Sequence, residues 1–450
     1  MSLLYAASAP SMAIPLHGIG GRQDLPVPFG FMLTGAGLAI ALSFVILGLA
    51  WRSPKYRGSS AGRPLPAAVT ATLDSNWFRW LVRGVGLAVF VYVGVALLFG
   101  ADRLTNPIFG FVYILVWVGL VPLSLVLGPV WRTLNPLRTL HLLITRVLRI
   151  DPHEGLIRLP ARLGLWPAAV GLFAFAWLEL VAPDRATLLV LQSWLTLYVV
   201  IMFFGGLLFG DRWFATADPF EVYATMMAKL SPWGRRDDGA IVFRRPLENL
   251  DTLSPRPGLV AVVSVLLGST AYDGFSNSTA WIGWAQNSGY SMALLGTLAL
   301  AAFILFVLVT YSGAAALAGR LSESARSSLP GLFAPSVVPI VLGYVVAHYF
   351  TLLLLEGQRT FILFSDPLSN GANIFGTGLL GVNAGITNYP AAISTVQVGA
   401  VVIGHLLGVV SAHDRAVALF PRAKALAGQL PLLLVMVAYT VGGLLLLFSS

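Results

Sequence analysis

Histidine and carboxylate side chains inside apolar segments are the residues of this chain that could do chemistry. His348 and His405 lie deep in two long apolar stretches, and Asp273 and Glu356 lie at or just inside the ends of others. Ionisable groups are costly at membrane depth, so they usually face a cavity or a partner. Imidazole and carboxylate together form the ligand set that suits a divalent transition metal.

The first interpretation of these residues is a metal site facing outward. His348 and His405 belong to apolar stretches adjacent in sequence and could approach one another, with Glu356 two turns beyond His348. We take the two histidines as candidate ligands and Glu356 or Asp273 as a third ligand or catalytic base. A metal ion there would activate water on a small apolar substrate.

Two other interpretations use the same residues. They could form a proton or ion relay, or each histidine could make a single hydrogen bond between helices. Gly404 and Gly408 indicate close helix packing beside His405, and Arg359 could pair with Glu356. The chain has no HExxH motif, so the spacing leaves all three interpretations open.

Two segments predicted to lie outside the membrane could cover such a site. His17, a further candidate metal ligand, opens a glycine-rich stretch that ends near Asp24. This stretch could fold back over a pocket mouth or simply lead into the first helix. The loop 357–390, rich in glycine and asparagine, could be a lid or a plain connector.

Several kinds of site are excluded by composition. The sequence contains no cysteine, which rules out disulfides, thiolate ligands and cysteine nucleophiles. It also has neither a phosphate-binding loop ending in Lys-Ser/Thr nor a GxSxG serine motif.

The elements that must position these residues are membrane-spanning helices. Hydrophobic residues make up 57% of the 450 positions and charged residues 10%, against about 25% charged in soluble domains. A spanning helix needs about 20 mostly apolar residues. Ten stretches qualify, so the sequence predicts an all-α bundle: 28–51, 84–100, 108–131, 164–182, 187–209, 257–273, 289–312, 333–355, 391–411 and 430–448.

The distribution of basic residues predicts the orientation. Alternate loops hold 24 of the 28 Lys and Arg residues and are predicted to be cytoplasmic: 51–83, 132–163, 210–256, 313–332 and 412–429. Both termini are then outside a bacterial plasma membrane, with 1–27 as an external tail resembling the end of a signal peptide and 28–448 as one transmembrane domain. The net charge of +9 reflects this pattern, so the lipid bilayer, and not nucleic acid, is the expected partner.

Two cytoplasmic loops are predicted to have structure of their own. In 132–163, leucines recur at helical spacing among arginines, which indicates a helix lying in the interface. His141 and His153 in this loop are expected to be solvated. In 210–256, Asp218-Pro219 predicts a helix start, and the turn at 236–239 predicts a small hairpin.

Several sequence blocks resemble a known family. They are HGIGGRQDLPVP (17–28), GPVWRTLNPLRTL (128–140), LSPWGRRDDG (230–239), LGSTAYDGF (267–275), AHYFTLLLLEGQRTFILFSDPLSNGAN (347–373) and GHLLGVVSAHDRA (404–416). Their order resembles that of actinobacterial polytopic membrane proteins labelled fenitrothion hydrolase. The resemblance implies hydrolysis of an organophosphate ester and transfers no catalytic residue.

Three functions follow as hypotheses. The first is a membrane-embedded, metal-dependent hydrolase with an outward-facing site. The second is a secondary transporter, because ten helices divide into two sets of five that would have opposite orientations. The third is an accessory subunit of a membrane complex. Neither the substrate nor the oligomeric state follows from the sequence.

Overall fold

The computed structural model describes residues 22–56, 58–319, 328–421 and 424–448. His17 and most of the predicted external tail therefore lie outside the described residues. Within the described ranges nearly all of the regular secondary structure is helical, which confirms the predicted all-α class.

In chain order, the helices are α1 (Phe29–Ala50), α2 (Ala67–Asp74), α3 (Asn76–Phe99), α4 (Pro107–Gly110), α5 (Leu120–Leu127), α6 (Trp131–Leu134), α7 (Pro136–Leu148), α8 (Trp166–Leu180), α9 (Leu188–Phe209), α10 (Phe214–Ala217), α11 (Pro219–Ala228), α12 (Pro246–Leu250), α13 (Leu259–Ser276), α14 (Thr279–Asn287), α15 (Met292–Ala318), α16 (Leu329–Phe333), α17 (Val338–Leu363), α18 (Pro390–Leu419) and α19 (Ala425–Leu447). Short 3-10 turns cover Arg22–Asp24, Gly58–Ser60, Ala161–Leu163, Ala334–Val337 and Gly385–Asn388.

Ten crossings of the bundle can be traced within the described residues. Nine helical segments are long and apolar enough to span a membrane. The tenth crossing is a bent pair, in which α4 continues as a π-helical turn (Phe111–Val116) and meets α5 at 48°. With the bent pair counted as one crossing, the number agrees with the predicted ten. The second span begins earlier than predicted, at Asn76, where the Ser75 side chain caps the helix by accepting a hydrogen bond from the Phe78 N–H. Arg83, within this first part of the helix, lies over the Trp80 ring.

Contacts between loops show that successive crossings alternate in direction. Loops predicted to be cytoplasmic touch one another at one end of the bundle, which we call the inner end: Trp51 Nε1 to Asp414 (2.9 Å), Arg235 to Asp74 (2.7 Å) and Arg415 to Asp251 (2.9 Å). Segments predicted to be external meet at the opposite, outer end: Arg22 Nε to the carbonyl of Phe448 (2.7 Å) and the Leu188 N–H to Asp102 (2.9 Å).

A close helix crossing joins α17 and α18. A Cβ at Gly404 would lie 2.6 Å from the carbonyl oxygen of Pro339 and 3.0 Å from the Cα of Gly343. Small residues let helix backbones approach in a membrane, where packing drives association. The glycines beside His405 therefore serve packing, as their spacing indicated.

A small antiparallel sheet covers part of the inner end. Strands β2 (Trp233–Arg235) and β3 (Ile241–Phe243) form the predicted hairpin, with Arg235 opposite Ile241. Gly239 occupies the left-handed region at φ 84°, as the turn requires. The first strand, β1 (Arg63–Pro64), comes from loop 51–83, pairs with β3 and was not predicted.

Two segments return from the inner end into the bundle. After α5, the carbonyl of Leu134 lies against Gly86, the eleventh residue of α3. After α9, Pro219 packs on Gly171, the sixth residue of α8. The predicted interfacial helix is thus α7, but it starts inside the bundle, and His141, expected to be solvated, is 2% exposed against Gly206 and Phe214.

Candidate functional site

The outer half of the bundle holds a buried pair of ionisable groups. Asp273 of α13 and His348 of α17 are 1% and 3% exposed. His348 Nε2 lies 2.9 Å from Asp273 Oδ2. The hydroxyl of Tyr349 donates to the same carboxylate oxygen at 2.7 Å.

The end of α13 fixes the carboxylate. Asp273 lies three residues before the last helical residue, Ser276, and Asn277 follows the helix. The Asn277 amide donates to the Asp273 backbone carbonyl at 2.8 Å and to Oδ1 at 3.3 Å. Both carboxylate oxygens are therefore engaged, and the side chain is held toward α17.

The hydrogen-bonding groups around Asp273 favour a charged carboxylate that can exchange a proton. Tyr349 and Asn277 donate to it, and a protonated His348 Nε2 would be a third donor. A carboxylate and an imidazole in hydrogen-bond contact can share one proton, and the interaction between them is strong in a medium of low dielectric constant. The arrangement can therefore hold one exchangeable proton between two helices.

A second carboxyl group lies near this pair. Glu179 of α8 is close enough to Asp273 for their charges to interact, and its Oε2 has no hydrogen-bond partner among the described residues. Ionising two neighbouring carboxyl groups together in a dry interior is costly. A cluster of this kind gains by binding a proton. The sequence had already indicated Glu179 as an ionisable group at the outer end of an apolar stretch, as it had Asp273 and Glu356, whereas Tyr349 had not been singled out.

His405 is not brought to the pair. Its neighbour Gly404 packs between Pro339 and Gly343 of α17. His348 lies five to nine residues further along that helix, a rise of roughly 8–13 Å. The ring Nδ1–H of His405 donates to the Val401 carbonyl at 2.9 Å, and Nε2 has no partner within the described part of the chain.

The structure also shows the contacts of Glu356 and bears on the predicted metal site. Glu356 forms an ion pair with Arg359 at 3.0 Å on its own helix, the alternative that the sequence had left open. Across the described ranges, no group of three or more His, Cys, Asp or Glu side chains could hold a metal ion. His17 cannot be placed, since it lies outside them. The structure thus joins Asp273 to His348 and separates them from His405.

The apolar crossings traced through the described residues show that the chain is a multi-pass α-helical membrane protein. No protein-family model matches its sequence, and neither a curated protein nor a solved structure matches it. The resemblance to proteins labelled fenitrothion hydrolase therefore stays an expectation.

Proposed function

We propose that the protein is a proton-coupled secondary transporter of a bacterial plasma membrane, and that Asp273 and His348 form its outer proton-binding site. The observation that carries the proposal is the 2.9 Å contact between these two buried side chains on different spanning helices. Ionisable groups that pair inside a membrane mark proton relays in pumps and transporters.

Interrupted helices support transport over a purely structural role. The third crossing is bent by 48° around a π-helical turn, and two further segments re-enter the bundle. Irregular backbone at membrane depth is tolerated where it lines a cavity or is buried in protein, and transporters use such broken helices for ion and substrate sites. The predicted inverted repeat of five plus five helices stays a prediction, as does the hydrolase.

Proton flux into liposomes tests the proposal. The purified protein is reconstituted around a trapped pH-sensitive dye, and a potassium gradient with valinomycin drives protons inward. We expect the wild type to acidify the lumen faster than protein-free liposomes, and Asp273→Asn to remove the excess. The control is Asp184→Asn, an exposed loop residue at φ 52°, where asparagine fits equally well. Wild-type flux equal to that of protein-free liposomes contradicts the proposal.

A further inference from the structure

A duplicated motif follows two of the crossings. Gly128 is followed by Trp131 and by the sequence Asn135-Pro136-Leu137-Arg138. Gly210 is followed at the same spacing by Trp213 and then, after one extra residue, by Asp218-Pro219-Phe220-Glu221. Both copies come after a crossing that runs from the outer to the inner end.

The two copies share their backbone geometry. Gly128 ends α5 at φ 73° and ψ −152°, and Gly210 ends α9 at φ 71° and ψ −169°. Each copy then forms one helical turn, α6 or α10, before a proline-led helix, α7 or α11. Asn135 and Asp218 are the N-caps of α7 and α11, and each accepts hydrogen bonds from the two backbone N–H groups two and three residues on.

The equivalent residues of the two copies bind each other. The Asn135 amide donates to Asp218 Oδ2 at 2.7 Å. Three positions further along each helix, the Arg138 guanidinium donates to both oxygens of Glu221, at 2.6 and 2.8 Å. N-cap thus pairs with N-cap and third helical residue with third helical residue, which is a local pseudo-two-fold relationship.

The N-terminal ends of α7 and α11, which we call the re-entrant tips, meet near the middle of the bundle. The Tyr198 hydroxyl donates to Asp218 Oδ1 at 3.1 Å. Tyr198 lies 12 residues before Gly210, so the tip is roughly 18 Å along α9 from its inner end. Phe220 packs against Phe175, the tenth of 15 residues in α8, at a centroid distance of 5.2 Å.

Negative charge exceeds positive charge at these tips. Asp218 is 0% and Glu221 2% exposed. Arg138 is bound by both Glu221 oxygens and lies 3.5 Å from Asp211, so its single charge faces three carboxyl groups. The N-termini of α7 and α11 add roughly half a positive charge each. The other polar groups that face Asp218 are neutral, namely Tyr198 and Asn135, and His141 turns toward Phe214.

A buried carboxylate without a cation of its own is neutralised by binding a proton. Of the two positions related by the pseudo-two-fold axis, only Asp218 carries a carboxyl group, because the equivalent position holds the neutral amide of Asn135. The carboxyl group at one tip is therefore the group whose charge the surrounding structure leaves uncompensated.

A series of contacts between polar side chains connects the Asp218 carboxyl group with the inner surface. His153, whose side chain is 72% exposed, lies 3.0 Å from Asp211 through its Nδ1. Asp211 contacts Arg138, and Arg138 binds Glu221, one helical turn from Asp218. Side chains that bind one another thus connect the inner surface with the re-entrant tips.

We propose that Asp218 is a second proton-binding site, loaded from the inner end along Asp211, Arg138 and Glu221. The inference rests on the proposed proton coupling and supplies its inner half, with Asp273 as the outer half. The proton comes from hydronium at the inner end: an O–H bond of hydronium breaks, the O–H bond of the Asp218 carboxylic acid forms, and a water molecule is left. Arg138 stays protonated throughout and holds Asp211 and Glu221 in place.

Infrared difference spectroscopy on the full chain between about pH 6 and 8 tests this inference, because exposed carboxyl groups, with pKa values of about 4, stay ionised there. The wild-type spectrum should contain the carbonyl stretch of a protonated carboxylic acid. Asp218→Asn should remove one component of that band while keeping the N-cap, since asparagine caps as well as aspartate. Asp237→Asn, in the exposed turn of the hairpin, is the matched control and should leave the band intact.

A second variant keeps the Asp218 carboxyl group in place. Glu221→Gln leaves the Arg138 charge available to Asp218, so the Asp218 component should move to lower pH. The inference is overturned if Asp218→Asn leaves the band unchanged, or if Glu221→Gln leaves its pH midpoint unchanged. A band that disappears solely in Asp273→Asn overturns the inner site and leaves the proposed function standing. Failure of the proposed function would show separately, as absent proton flux in the wild type.

Discussion

His348 Nε2 and Asp273 Oδ2 lie 2.9 Å apart across the interface of α17 and α13, although 75 residues separate them in the chain. Tyr349, next to His348, donates to the same oxygen. The contact ties two spanning helices together. Under the proposed function, a change in its protonation alters how strongly the two helices are held.

A double-mutant cycle on Asp273→Asn and His348→Asn should reveal this coupling. Removing one partner of a buried charged hydrogen bond costs about 1–3 kcal/mol, and we expect a coupling energy in the upper part of the roughly 0.5–3 kcal/mol range for residues in contact. Unfolding in detergent by a chemical denaturant measures it. The control cycle pairs Asp273→Asn with Glu356→Gln, which should be additive, because Glu356 is bound by Arg359. Additivity in both cycles would contradict the paired geometry.

Tyr349→Phe should retain proton flux with a changed pH dependence. The hydroxyl donates to the ionised form of Asp273, so its loss makes the carboxylate easier to protonate. The pH midpoint of the flux should therefore move to higher pH. A midpoint that is unchanged or moves to lower pH would show that the Tyr349 hydroxyl does not act on the transported proton.

His405→Leu distinguishes the proton site from the predicted metal site. His405 Nε2 is buried without a partner among the described residues, so an apolar side chain of similar size should leave stability within about 1 kcal/mol of the wild type or raise it. Proton flux should be unchanged. Loss of flux together with loss of a bound transition metal, measured by elemental analysis, would instead support the metal hypothesis.

Gly404→Ala and Gly399→Ala form a matched pair on α18. A methyl group at Gly404 would meet the Pro339 carbonyl at 2.6 Å, whereas nothing lies within 4 Å of one at Gly399. The first substitution should destabilise the protein by about 1–3 kcal/mol through overpacking. The second should be neutral or stabilising by up to about 1 kcal/mol, because alanine favours helix. Equal effects on the thermal midpoint would refute the close crossing of α17 and α18.

Asp74 should give the inner end a weak pH dependence. A hydrogen bond from Arg235, with a further contribution from Arg79, holds the pKa of Asp74 below its usual value. The stabilisation is therefore complete above the ordinary aspartate pKa of about 3.9 and is lost as the pH falls through the lowered value. With Asp74 31% exposed, we expect at most about 1 kcal/mol. Thermal unfolding of Asp74→Asn should differ from wild type at neutral pH and converge with it in acid; a constant difference would contradict this.

Crossings and their alternation could be predicted from the sequence, since apolar length and the placement of basic residues act locally. The position of Asp273 and His348 at membrane depth followed from the same pattern. The contact between Asp273 and His348 could not be predicted, because it depends on which helices become neighbours. The depth of His405 in the membrane relative to that of His348 could not be predicted either. It depends on the register of α17 against α18, which is set by the contact of Gly404 with Gly343.

The re-entrant segments were missed for a related reason. Asp218 was predicted to start a helix, and it does cap α11. Its polar flanks, however, predicted an inner loop, because the groups that bind Asp218 Oδ2 and the Glu221 carboxylate lie 83 residues away in α7 and its cap. A capping pattern identifies the start of a helix and says nothing about the depth at which that helix begins.

The current that follows a sudden change of external pH tests the central claim most directly. Liposomes containing the protein are adsorbed to a solid-supported electrode and exposed to an acidic buffer. We predict a transient inward displacement of charge for the wild type and for Asp184→Asn, and its loss in Asp273→Asn. A transient of the same size in Asp273→Asn would contradict the assignment of Asp273 and His348 as the outer proton site.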